Sequence, residues 1–95
     1  MPCYTVKFEG ERPGTFWSGW KSPYGFFEEY NVYKSDNLII YSYANKEKDL
    51  EVRISYIFIV DEDTDYHSTE IGITYYRDCD PKAIMRFVKE KFDIS

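Results

Sequence analysis

The chain has 95 residues, of which 43% are hydrophobic and 20% aromatic, with a formal net charge of −5 and an isoelectric point of about 4.8. An intrinsically disordered segment is excluded, because disordered chains lack the apolar residues that build a core. An acidic chain also repels phosphate, so direct binding to nucleic acid is not expected.

Residues 1–95 are expected to form a single domain, since a chain of this length folds without a metal or a disulfide. The sequence has no apolar run of membrane-spanning length and no signal-peptide pattern, so we expect a cytoplasmic protein without a membrane partner. Cys3 and Cys79 are expected to be reduced thiols; the alternative is a disulfide, if the first strand lies beside the segment before the last helix. Phe, Tyr, Ile and Lys are plentiful while Ala and Arg are scarce. This usage is typical of AT-rich genomes such as those of many phages, and a phage-encoded protein would act in the host-cell cytoplasm.

Four strands are predicted in the first half of the chain, where apolar and polar residues alternate between turn sequences. Residues 21–33 are ambiguous, because Ser22 followed by Pro23 also resembles the start of a helix. We favour a turn at 22–25 followed by a strand, since the aromatic and β-branched residues that come next are better strand formers. The predicted strands are Pro2–Glu9, Thr15–Trp20 with a bulge at Gly19, Phe26–Lys34 and Leu38–Ala44.

The segment Leu50–Val60 has the strongest pattern in the chain. Its even-numbered residues are all apolar, which predicts a strand with one face in the core. On the other face the first odd-numbered residues are polar, but Ile57 and Ile59 are apolar. We therefore expect a central strand that is covered on both faces over its second half.

The last third of the chain contains a hairpin partner for that strand and one helix. Asp61–Ser68 is predicted to be a loop and Thr69–Arg77 a strand. Asp80 can cap free backbone N–H groups and Pro81 suits the first helical position, and apolar residues at helical spacing continue to Phe92. The prediction is an α+β domain: an antiparallel β-meander of five to six strands, forming a curved sheet or half-barrel, with one C-terminal helix packed on it.

The sequence DEDTD that begins at Asp61 is the most conspicuous polar segment. Asp61, Asp63 and Asp65 have the spacing that opens a calcium loop, but Tyr66 stands where such a loop needs glycine and Gly72 where it needs glutamate. We therefore expect no metal and no cofactor. The segment is either a solvated hairpin tip or an acidic patch that contacts a basic protein surface.

No pattern in the sequence predicts catalysis. His67 is the only histidine, and its neighbours Ser68 and Asp65 lie in the same short segment. A catalytic triad needs groups that converge from different elements. Neither cysteine has the basic neighbours that would activate its thiol.

The aromatic segment from Phe16 to Trp20, followed by Tyr24, is the second notable feature. Core packing is the first interpretation, because Trp in a small domain is usually buried, and a partner-binding or base-stacking surface is the alternative. The candidate partner-binding residues are therefore Asp61, Glu62, Asp63, Asp65, Trp17, Trp20 and Tyr24.

These observations predict a non-catalytic protein-binding module. Our hypothesis is a small acidic inhibitor, of the type carried by phages and mobile elements, that blocks a nucleic-acid-handling or defence enzyme by docking on its basic surface. An immunity protein or antitoxin is a variant of this hypothesis. The alternative from another class is a small-ligand module that uses the aromatic face of the sheet. A homodimer is compatible with either.

Overall fold

The computed structural model describes residues 2–76 and 79–94, which form one antiparallel sheet and one helix. The sheet has six strands in the order β1-β6-β5-β4-β3-β2. In chain order the elements are β1 (Cys3–Glu9), β2 (Gly19–Ser22), β3 (Gly25–Lys34), β4 (Leu38–Asn45), β5 (Leu50–Val60), β6 (Asp65–Tyr75) and α1 (Pro81–Lys91).

The predicted fold class is confirmed, and the sheet is open rather than closed into a barrel. Strands β2 to β6 form a meander, in which each strand pairs with the next. Strand β1 departs from the meander because it pairs with β6, where Val6 lies opposite Ile71. As predicted, β5 is central, since Ile54 pairs with Tyr41 of β4 on one side and with Ile71 on the other.

Two predicted strand boundaries are wrong. Strand β2 starts at Gly19 rather than Thr15, because residues 10–18 form the connection that carries the chain from β1 to the opposite edge of the sheet. Strand β6 starts at Asp65 rather than Thr69, because His67 continues the ladder opposite Phe58.

The ambiguous stretch after Ser22 forms a tight turn into β3, as favoured by the sequence. Gly25 has a φ of 118°, which side-chain-bearing residues rarely adopt, and a Cβ there would lie 2.8 Å from the amide of Asn45. The Ser22 hydroxyl closes the turn by donating to the Gly25 carbonyl at 2.9 Å. The turn therefore requires glycine, which explains why no helix begins at Pro23.

One face of the sheet, which we call the covered face, packs against α1. From this face Leu50, Val52, Ile54 and Tyr56 of β5 are buried, and Phe58 is half-buried because it lies beyond the end of the helix layer. The helix contributes its own apolar stripe to the same core, in which Ile84, Met85 and Val88 are buried.

The helix begins and ends nearly as predicted. The Asp80 carboxylate accepts the backbone N–H groups of Lys82 and Ala83 at 3.1 and 3.3 Å, and Pro81 occupies the first turn. The C-cap is Phe92, whose side chain is buried against the sheet. Within residues 2–76 and 79–94, none of the helical structure is long and apolar enough to cross a bilayer.

The connection 10–18 completes the layer over the covered face. The Thr69 hydroxyl donates to the Glu11 carbonyl at 2.7 Å, and the Gly14 N–H donates to the Phe92 carbonyl at 2.8 Å. The Tyr43 hydroxyl donates to the Trp17 carbonyl, and burial raises the pKa of this hydroxyl well above its ordinary value. The connection is thus bonded to strands and helix alike.

The opposite face, which we call the open face, has no layer over it among the described residues. Ile57 and Ile59 lie there and are 36% and 45% exposed. The prediction that the second half of β5 is covered on both faces is therefore wrong for a single chain.

Candidate functional site

The β5–β6 hairpin projects beyond the rest of the sheet. The first residue of β4, Leu38, pairs with Ile57, and the last residue of β1, Glu9, pairs with Ser68. The hairpin continues past both points to the pair Val60 and Asp65. Residues 59–66, which we call the finger, therefore have no flanking strand, and the domain is elongated to 46 Å along its longest axis.

The tip of the finger is an ordered turn built around Asp61. Its carboxylate accepts the N–H groups of Asp63 at 2.8 Å and Thr64 at 3.0 Å, and its own N–H donates to the Thr64 carbonyl. This is the arrangement by which an aspartate at the start of a turn satisfies the turn's backbone. The Asp61 side chain is thereby committed to structure.

The other predicted carboxylates are displayed at the same place. Glu62, Asp63 and Asp65 are exposed, so the finger concentrates negative charge at one end of the molecule. In the part of the chain that the structure describes, no group of three or more His, Cys, Asp or Glu residues is arranged to hold a metal ion. The spacing of the Asp residues thus produces a charged tip.

An exposed apolar side chain lies directly behind the charged tip. Ile59 is 45% exposed on the open face of the finger, opposite Tyr66. The Tyr66 hydroxyl donates to the Glu9 carboxylate at 2.7 Å, which ties the finger to β1. The finger thus carries charged side chains at its end and an exposed apolar side chain behind them. A polar rim beside an apolar centre is typical of protein-binding patches.

The predicted aromatic residues do not join this site. Trp20 is 3% exposed and stacks on Phe27 with ring centroids 4.3 Å apart. A side chain so deeply buried offers almost no surface to a partner, so Trp20 is a core residue. It lies at the Leu50 end of the sheet, roughly 30 Å from the fingertip by the rise of β5.

Trp17 and Tyr24 are half-buried beside the same core. The Trp17 indole N–H donates to the Lys91 carbonyl at 3.2 Å, and the Lys91 ammonium lies 4.3 Å from the indole centroid. These contacts hold the connection against the helix end. The Tyr24 carbonyl accepts the Asn45 amide at 2.7 Å. The structure therefore assigns both residues packing contacts, remote from the acidic tip.

His67 lies at the foot of the finger on the covered face. Its Nε2 is 2.8 Å from the Gly10 carbonyl, so this nitrogen carries the proton and donates. The neighbouring Ser68 is 2% exposed, and the Thr69 hydroxyl is bonded to the connection. His67 and Thr69 thus fix the start of the connection, while Ser68 lies on the opposite face of the strand, so the three side chains do not converge on a common point.

A groove runs along the covered face beside His67. Its volume is about 350 Å³, and its floor is the stacked pair of Tyr56 and Phe58, with ring centroids 5.3 Å apart. The Arg12 guanidinium lies 5.8 Å from the Tyr56 ring, and Asp65 stands at the rim. The groove is at the small end of the range for ligand sites and open to solvent.

Sequence reasoning missed a set of exposed aromatic residues. Among the described residues, the large apolar side chains with more than a third of their surface exposed number six, and five of these lie on the open face. The aromatic residues that were missed lie on β3. There they alternate with residues that point into the core, and the alternation does not reveal which face of the sheet is covered. The five are Phe26, Tyr30, Tyr33, Ile57 and Ile59.

A shallow groove of about 130 Å³ lies on the open face over Gly72. Glycine leaves a depression here, because its neighbours across the strands, Thr5 and Arg53, carry side chains. Tyr30 forms one wall of the groove, where burial and the Glu51 carboxylate raise the pKa of its hydroxyl. Cys3 lines the end of this groove; Cys79 precedes α1, and no disulfide joins the two.

Comparison of the chain with protein-family models, with curated proteins and with solved structures finds no match, so the interpretation of the site depends on this geometry alone.

Proposed function

We propose that this chain is a non-catalytic protein-binding module that docks through the finger on a basic surface of another protein. The observation that supports the proposal is the projecting hairpin, which displays Glu62, Asp63 and Asp65 beyond the ends of the flanking strands. A projecting loop can enter a cleft that a flat sheet face cannot.

The chemistry of the tip indicates the kind of partner. A concentrated negative potential is attracted to lysine- and arginine-rich surfaces, and nucleic-acid-handling enzymes carry such surfaces where they bind phosphates. The carboxylates on the finger would occupy the sites at which the partner enzyme binds phosphate groups, and Ile59 would make an apolar contact with the enzyme behind them. The proposed class is therefore an inhibitor of a nucleic-acid-handling or defence enzyme. It is of the type that phages encode and would act in the host-cell cytoplasm. An immunity protein or antitoxin would use the same surface.

A second candidate function is supported by the groove beside His67. Its aromatic floor of Tyr56 and Phe58 and the Arg12 guanidinium suit a small planar anion. The finger remains the favoured site, because the groove is open and Asp65 at its rim would repel an anion. A rise in melting temperature with small aromatic carboxylates or nucleotides, abolished by Arg12→Ala, would support this alternative instead.

The test of the proposed function uses two variants with equal charge. The finger variant carries Glu62→Gln, Asp63→Asn and Asp65→Asn, and it retains Asp61 so that the turn stays intact. The control variant neutralises Glu28, Glu47 and Glu90, which are exposed elsewhere. Each variant removes the same amount of charge, so effects of net charge cancel.

Proteins captured from host lysate by the wild type and the control variant, but lost with the finger variant, are the expected partners. The expected result with a purified partner is a slower association rate for the finger variant, with a weaker dependence on salt, because exposed charges act on the encounter. Equal association rates for the two variants would contradict the proposal.

A further inference from the structure

We infer that the open face of the sheet is covered by a second copy of this chain, in a symmetric β-sandwich. This inference is independent of the proposed function. Its starting point is the set of exposed apolar side chains on the open face, which include Ile57, Tyr30 and Tyr33. Ile57 and Tyr33 are joined on this face by Leu38 and Ile40 of β4, and extended apolar patches of this kind on soluble proteins often mark interfaces.

The size of the open face fits a dimer. The four strands β3 to β6, at their usual spacing, and the eight residues of β4 give a face of roughly 19 by 27 Å, or roughly 500 Å² in projection. A standard interface buries about 800 Å² on each partner, so the open face is of the right order for a stable pair.

The two halves of the open face are complementary under a two-fold axis parallel to the strands. The sheet has three strands on each side of the boundary between β4 and β5. An axis above this boundary places β5 over the partner's β4 and β6 over the partner's β3, while β1 and the partner's β2 overlap only where Cys3 and Gly19 lie level. Such an axis leaves each residue at its own level along the strands, which is the aligned packing that sandwiches adopt.

The side chains at matching levels fit this arrangement. Ile57 pairs with Leu38 within the sheet, so across the axis the Ile57 of each copy meets the Leu38 of the other. The depression at Gly72 lies level with Arg53, Ser42 and the β3 bulge that carries Tyr30. Strand β3 of one copy therefore lies over the depression of the other.

The alternative axis, perpendicular to the strands, reverses the levels. It would press the apolar end, around Ile57, against the charged end, where Glu51 and Arg53 lie. Burying charges against apolar side chains is unfavourable unless they are paired. Both axes cover Glu51 and Arg53, but only the axis parallel to the strands sets Ile57 against the apolar Leu38 of the other copy, so the distribution of apolar side chains favours this axis.

The parallel axis has a consequence for the fingers, because both leave the dimer at the same end. The strand and sheet spacings place the two fingers roughly 14 Å apart, close enough for their charges to repel at low ionic strength. Salt should therefore strengthen the dimer. The perpendicular axis would put the fingers at opposite ends, so neutralising them would tighten the dimer far less, although the net charge of −5 on each copy makes salt favourable under either axis.

The primary experiment is analytical ultracentrifugation of the intact chain, from low to high micromolar concentration. The expected result is a reversible dimer of twice the 11.4 kDa chain mass. Ile57→Lys should weaken association by about tenfold or more, since a charge at the centre of an interface must be desolvated. Ile59→Lys is the matched control, measured at high salt where the finger charges are screened, because Ile59 is similarly exposed but lies on the finger, beyond the part of the open face that the second copy covers, and should leave association unchanged. Circular dichroism verifies that both variants are folded.

The native cysteines supply a second measurement that needs no mutation. Both are exposed in a single chain; Cys3 lines the groove on the open face, whereas Cys79 lies just before α1, the helix that packs on the covered face. Alkylation of Cys3 should slow as the protein concentration rises, while alkylation of Cys79 should keep its rate.

Three results would overturn the inference. A mass of one chain at all concentrations rules out the dimer, and a dimer insensitive to Ile57→Lys places it on another surface. A dimer that salt does not strengthen, or that the finger variant does not tighten at low salt, rules out the parallel axis.

Discussion

The depth of burial along β5 predicts how much each of its side chains contributes to stability. Ile54 is fully buried between Tyr41 and Ile71, whereas Phe58, on the same face, is half-buried beyond the helix. Ile54→Ala should therefore lower the free energy of unfolding by about 3–4 kcal/mol, within the usual range for emptying a closed site. Phe58→Ala removes a larger side chain but should cost less, about 2–3 kcal/mol, because part of its surface stays in contact with solvent in the folded state.

Denaturant unfolding followed by circular dichroism measures this difference. The measurement should be made at low protein concentration, since association of folded chains would add a concentration-dependent term. Ile59→Ala is the control, and its effect should stay within about 0.5 kcal/mol because the side chain is exposed on the finger. If Phe58→Ala proved as costly as Ile54→Ala, the helix layer would extend further over β5 than the structure places it, and the argument from burial would fail.

Three further predictions concern the N-cap of α1, the turn at Gly25 and the contact between Tyr66 and Glu9. Asp80→Ala should lower stability by about 0.5–2 kcal/mol, measured by thermal unfolding, while Asp80→Asn should retain most of it. Gly25→Ala should be destabilising by about 1 kcal/mol or more, because it imposes both a positive φ and a close contact with Asn45; an unchanged melting temperature would show that the turn relaxes freely. The Tyr66 hydroxyl, and then Lys7, lower the pKa of Glu9, so their contribution to stability is present above the carboxyl's unfolded pKa and is lost as the pH falls through its folded value. In a pH titration of unfolding, Tyr66→Phe should therefore be less stable than the wild type at neutral pH and match it at acid pH; equal stability at neutral pH would contradict this.

The sequence predicted the elements whose evidence is local. The helix could be located because Asp80 and Pro81 mark its start and apolar residues recur at its period. Strand β5 could be identified as central because its apolar residues alternate without interruption. These signals need no knowledge of what the segments pack against.

The remaining features depend on partners far away in the sequence. Nothing in the alternation of β1 shows that Val6 pairs with Ile71 rather than with the next strand. The start of β6 was missed because Asp65 and His67 are polar, and only their pairing with β5 makes them strand residues.

The candidate site was predicted in part for the same reason. The density of carboxylates after β5 located the acidic tip, but alternation alone cannot tell which face of a sheet is covered. Trp20 and Tyr33 are both aromatic residues in alternating segments, yet one is buried in the core and the other is half exposed on the open face. The apolar odd-numbered residues of β5 were the one local sign that the open face differs from an ordinary solvated surface.

The pairing of β1 with β6 determines the order in which the sheet can assemble. Strands β2 to β6 meet through short turns, whereas Val6 must wait for Ile71, which lies 65 positions further along the chain. Long loop closures of this kind slow folding, and a ribosome releases β1 long before its partner exists. Until β6 has formed, one edge of β5 is unpaired and β1 has no neighbouring strand to pair with. The hydrogen bond from Thr69 to the Glu11 carbonyl can form only at that last step. A chain that lost its final third would therefore lose its first strand as well, although every residue of that strand would still be present.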